Sequence, residues 1–311
     1  MGRGEGGPAP RLRSTGERRP SRAARPAPPE PRRPSRTIAT MDPQRARRRE
    51  LVVLLIAVVG LSRLLDGPLL WLVAGLAGAA AAAGAAELLG DPRPRDTHPE
   101  AVLLPALTTA ASVGALQVVP IGLLFVPALG AAALLIDRVL GFELRLSDRD
   151  HEVTPEDRVS ALAAALAIAF LAFVGVAAIL PGGLVEPGSG SQGGRAAAIP
   201  EAVLLVLTLA DATVAGLLGF RIAMLRERSL RAALFAAATY ASVVAIAAAG
   251  VRAIALPRLL APALLALVFF VWDGVHGAPP AQRRDPRWIW QTVVLIALGI
   301  AVVAWNLALP R

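Results

Sequence analysis

Residues 159–180 read VSALAAALAIAFLAFVGVAAIL, without a single charge. A helix of that length reaches about 33 Å, enough to cross a hydrocarbon core of ~30 Å. Similar blocks recur at 51–90, 101–136, 201–220, 232–272 and 288–308, and none shows the polar face that a helix on a soluble domain keeps. Within lipid every backbone N–H and C=O must be satisfied inside the segment, which leaves helices as the economical solution for blocks of this length. The expected fold is therefore all-α, a polytopic transmembrane helix bundle. Mean hydropathy of +0.57 with 55% hydrophobic residues agrees.

Three blocks exceed one crossing and must break. Residues 51–90 carry Asp66-Gly67-Pro68, a turn signal. Residues 101–136 would make one helix of about 54 Å. Residues 232–272 are interrupted by Gly250, Arg252, Pro257 and Arg258. Splitting all three gives about nine spans, with eight as the alternative: 50–65, 68–88, 101–117, 120–137, 159–180, 201–220, 232–251, 255–272 and 288–308. This arrangement puts seventeen arginines on one side, from Arg45 to Arg287, and leaves Arg63, Arg195, Arg252, Arg258 and Arg311 on the other. The positive-inside rule then predicts a cytoplasmic amino terminus and an external carboxyl terminus in a bacterial-type cytoplasmic membrane. The turn LQVVPIG (116–122) is so apolar that a re-entrant pair is the alternative to two spans there.

The formal charge of +9 does not argue for nucleic acid. All 32 basic residues are arginine, and ten precede Met41 in a Pro/Arg-rich stretch that has little to bury. Residues 1–48 are expected to be a disordered basic tail, with Met41 as an alternative natural start. A five-span half (49–180) should be joined by a Gly/Ser-rich external linker (181–200) to a four-span half (201–311). The lipid bilayer is the expected partner, with other membrane subunits as candidates and no nucleic acid.

Small residues should let helices approach closely, as with Gly75, Ala79 and Gly84 in AGLAGAAAAAGAAELLG. The five tryptophans sit near span ends and read as interface anchors. TPED (154–157) reads as a helix start, with Thr154 as cap and Pro155 in the first turn.

Enzyme chemistry finds little support. With no cysteine there is no thiolate nucleophile or Cys-ligated metal. His98, His151 and His276 all fall in expected loops, and neither H-E-x-x-H nor a phosphate-cradling glycine loop is present. The acids of 137–158 follow no calcium-loop spacing and are interleaved with arginines. No catalytic residue, metal site or cofactor is expected.

One residue breaks the apolar pattern. Asp211 lies mid-way along VLLVLTLADATVAGLLGF (203–220). A carboxylate in hydrocarbon costs several kcal/mol unless it is paired, wetted or protonated. Folding spans six and seven about residue 226 brings position 241 to its level. The expected intramembrane polar site is thus Asp211 hydrogen-bonded to Tyr240 or Thr239, with Ser242 and Thr208 close by. Arg63, Arg252 and Arg258 are expected to snorkel as an external basic cluster. The functional expectation is a small-solute or ion permease, or a membrane subunit of one. The alternative is a structural or accessory membrane protein with Asp211 as interhelical glue. A water-reachable cavity at Asp211 would favour transport, and a closed contact would favour the scaffold.

Overall fold

The computed structural model describes residues 43–90, 99–147, 154–180, 200–226, 229–254, 256, 259–278 and 281–308. Among them are nine α-helices and no strand: α1 Pro43–Leu61, α2 Leu69–Leu89, α3 Leu103–Ala115, α4 Phe125–Leu146, α5 Pro155–Ile179, α6 Glu201–Met224, α7 Leu230–Ala253, α8 Leu260–Gly277 and α9 Pro286–Ala308. Eight are long and apolar enough to cross a membrane, counting α3 with its flanking 3-10 turns as Glu100–Val118. The exception is α1, whose first turns carry Arg45, Arg47, Arg48, Arg49 and Glu50 ahead of a short apolar stretch. The protein is a polytopic transmembrane helix bundle.

Local chemistry explains the boundaries. The break between α1 and α2 falls at Gly67, whose φ of +67° is left-handed backbone that costs glycine nothing. α5 opens with a reciprocal capping box: the Asp157 amide donates to Thr154 Oγ1, and the Thr154 amide donates to the Asp157 carboxylate. Residues 116–122 do separate two helices. α4, however, begins at Phe125 and runs to Leu146, well past the expected end at 137. α8 is displaced in the same sense, from 255–272 to Leu260–Gly277. Pro262 is no interruption there, since it occupies the first turn, where the missing N–H has no acceptor to lose. Pro257 lies outside the described residues.

Large apolar side chains point outward along the spans, for example Leu205, Leu209, Phe235 and Ile246. That suits a surrounding of lipid. Inside, one core draws on α3 to α8, with Leu104, Val139, Ile168, Phe173, Leu218, Tyr240 and Phe269 all buried together. α3 is the most enclosed span and α9 the least. The hydroxyls of Thr108, Thr109 and Ser112 on α3 donate to carbonyls one turn back, which keeps them satisfied without water.

Close helix contacts form at glycines, though not at all of those expected. Gly75 faces open space, while Gly78 packs on the Ala106 carbonyl of α3 and Gly84 receives Leu51. The backbones of α3 and α5 touch at Gly114 and Gly175, where a Cβ built on Gly114 would lie 2.5 Å from the Gly175 Cα.

The α6–α7 register is likewise set by glycine. A Cβ built on Gly216 would sit 3.3 Å from the Ala241 Cβ and 3.5 Å from the Ala237 carbonyl oxygen. Position 216 thus faces about 239, so Asp211 lies level with Val244, nearly one turn beyond the expected 241. A Gly216→Cys/Ala241→Cys variant should form a disulfide on mild oxidation, because the Cβ atoms fall close to disulfide range. The native chain has no cysteine to compete. Cross-linking by a Gly216→Cys/Ser242→Cys control and not by this pair would refute the register.

Candidate functional site

Four of the five buried charges among the described residues continue an apolar stripe of their own helix. On α6 the stripe runs Leu207, Asp211, Ala215, Leu218 and Ile222; on α7 it runs Ala236, Tyr240, Val244, Ala248 and Arg252. α8 buries Ala261, Leu265, Phe269 and Asp273, and α4 buries Ala132, Ile136, Leu140 and Glu143. Helical spacing carries these charges into the core with their neighbours. They fold there because each meets an opposite charge.

Asp211 meets Arg252, not Tyr240 or Thr239. Arg252 Nε donates to Asp211 Oδ2 at 2.7 Å, with side-chain exposures of 2% and 0%. The two residues are about two turns apart in height, and helix geometry closes the gap. Side chains lean toward the amino end of their helix, so in this antiparallel pair Asp211 leans one way and Arg252 leans back to meet it. The level-by-level expectation lacked that lean. Tyr240 instead donates its hydroxyl to Asp273 Oδ1 at 2.6 Å. Thr239 donates to the Ala236 carbonyl and receives Trp272 Nε1 at 3.4 Å. Ser242 is exposed and donates to the Ala238 carbonyl, away from Asp211.

The Asp211–Arg252 contact is only half satisfied. Asp211 Oδ1, Arg252 Nη2 and Thr208 Oγ1, one turn before Asp211, are buried without a hydrogen-bond partner. Of the expected external cluster, Arg252 is internal and ion-paired. Arg63 donates to Gln117 Oε1 at 3.1 Å, and Arg258 lies outside the described residues.

Two further ion pairs, one buried and one partly buried, fall on residues that the sequence places in aqueous loops. Glu143 of α4 holds Arg221 of α6 in a fork: Nε to Oε1 is 3.0 Å and Nη2 to Oε2 is 2.5 Å, with exposures of 1% and 6%. Just beyond α6, Arg226 Nη2 reaches Asp273 Oδ2 of α8 at 2.9 Å. Asp273 thereby joins Tyr240 and Arg226. The segment that begins at Asp211 and ends at Arg226 is consequently fastened to α7, α4 and α8 by three ion pairs. A fourth, Arg48 to Asp137, ties α1 to α4 and is more exposed. Stripe spacing would have revealed Arg252 and Asp273, since both follow Tyr240 and Phe269 at multiples of four.

No cluster of three or more His, Asp or Glu side chains poised for a metal occurs among the described residues. Asp148, Asp150, His151 and Glu152 lie outside them, as do His98 and the 181–199 stretch. Trp272 is no simple anchor, because its ring stacks on His276 at 5.9 Å between centroids.

Comparison with known proteins adds one finding. Residues 49–179 match the family model described as a protein of unknown function, DUF5656. That stretch covers the chain from the apolar part of α1 through α5. No curated protein and no solved structure matches the chain. Asp211, Arg221, Arg226, Arg252 and Asp273 lie beyond the match, and Glu143 lies within it.

Proposed function

We propose that the protein is a non-catalytic structural or accessory membrane protein whose sixth helix is a fixed post. The observation behind this reading is the closure of Asp211. Its carboxylate is fully enclosed and gripped by a guanidinium that is itself enclosed. An ion pair sealed in this way holds two helices in one register and presents no charge to a passing solute. Other membrane subunits are the partners such a scaffold would serve. The arginine-rich end, with the starts of α5 and α7 and the ends of α6 and α8, is the cytoplasmic one in this reading.

One observation favours the permease reading instead. The partnerless oxygen of Asp211, with Arg252 Nη2 and Thr208 Oγ1, is what a pair able to exchange partners would show. Flux through liposomes separates the two. Asp211→Asn alone would strip Arg252 of its counter-charge, so the neutral pair Asp211→Asn/Arg252→Gln is the cleaner variant. Proton, potassium and chloride leak from loaded vesicles carrying the native protein is expected to equal that of protein-free vesicles. Flux above that baseline, lost in the neutral pair at equal reconstituted amount, would overturn the scaffold in favour of the permease.

A further inference from the structure

A cavity of about 590 Å³ opens where the start of α5, the end of α6, the start of α7 and the end of α8 converge. Its polar lining is Arg158, Arg226, Tyr240 and His276, two of them guanidinium groups. Arg226 is held in place because Asp273 grips one Nη2–H and is itself fixed by the Tyr240 hydroxyl. A guanidinium carries five N–H donors, so this leaves part of its fork for a ligand. Arg158 is exposed, and its guanidinium has no ion-pair partner among the described residues. Nearby, Arg283 caps the carbonyls of His276 and Ala278. The acids of the α5 first turn, Glu156 and Asp157, are not part of the lining.

The other wall is apolar. Val159, Leu162 and Phe235 line it, and Val159 and Phe235 are each 69% exposed, on helices whose outer faces meet lipid. A soluble anion has no use for such a wall. An amphiphile does, because its phosphate can sit among the arginines while its chains lie along the spans.

We propose that this cavity binds the phosphate headgroup of an anionic membrane lipid, with Arg158 and Arg226 holding the phosphate and Phe235 and Val159 lying against the acyl chains. The volume falls in the range of small-ligand sites. Paired guanidinium groups suit phosphate oxygens better than point charges would. A basic pocket between helices at one membrane face is where such headgroups are recognised. The inference does not depend on which functional reading holds.

Thermal unfolding of the full-length protein in neutral detergent tests it, with phosphatidylglycerol, phosphatidylcholine or glycerol phosphate added. Phosphatidylglycerol should raise Tm in a saturable way, while the other two leave it unchanged. Arg158→Gln should keep the lipid-free Tm, since that exposed side chain has no ion pair among the described residues, and weaken the apparent affinity for phosphatidylglycerol about tenfold. Equal shifts from phosphatidylcholine, no shift from phosphatidylglycerol, or an undiminished response in Arg158→Gln would each overturn the proposal. A comparable rise from glycerol phosphate would also overturn it, by assigning the site to a soluble phosphate.

Discussion

Glu143→Leu is expected to cost about 3–5 kcal/mol of stability, the usual penalty for leaving a buried charge without its partner. Arg221 would keep its guanidinium in a site where 6% of the side chain meets solvent, and both of its bonds to Glu143 would be lost. Arg221→Met should cost a similar amount by stranding Glu143. Both effects are readable as an earlier midpoint in denaturing-detergent titrations followed by tryptophan fluorescence. The contrast with an aqueous-loop placement is large, because exposed ion pairs are worth ~1 kcal/mol or less. A shift that small would mean that Glu143 and Arg221 are wet.

The second large effect is steric. Gly114→Ala is expected to destabilise the bundle by about 1–3 kcal/mol, and Gly114→Leu by more, because the new atoms enter the α5 backbone and not a side chain able to turn aside. The built Cβ lies 2.8 Å from both the Gly175 carbonyl carbon and its oxygen, as well as 2.5 Å from the Cα. From the other side there is more room: a Cβ on Gly175 would stand 3.0 Å from the Ala111 oxygen. Gly175→Ala should therefore cost less than Gly114→Ala. Gly130→Ala on α4, with nothing within 4 Å, should be neutral. The same titrations provide the ranking, and a neutral Gly114→Ala would mean that α3 and α5 stand further apart.

Hydropathy and arginine bias carry most of the fold, since long apolar blocks leave lipid-spanning helices as the solution. They locate helix ends poorly for a physical reason. A hydropathy profile ends a span at its first charge, as though every charge had to be in water. Asp137, Arg221 and Asp273 each ended an expected span in that way, yet α4, α6 and α8 continue through them. Paired charges can stay inside, and pairing is a tertiary property that no single segment displays. Asp211 was legible as a buried acid. Its partner was not, because matching residues by height overlooks the lean and length of an arginine side chain. The Gly114–Gly175 contact was hidden for a related reason, since many glycines sit in these spans and only packing tells which face a neighbour.

Asp211 and Arg221 on the sixth helix are held inside the bundle by opposite charges on its neighbours and do not lie in water. A double-mutant cycle on Glu143 and Arg221 measures this most directly. Two buried partners should couple, so that Glu143→Leu/Arg221→Met loses much less stability than the sum of its single variants, with an interaction energy of about 2 kcal/mol or more. Single-variant losses that simply add would contradict it.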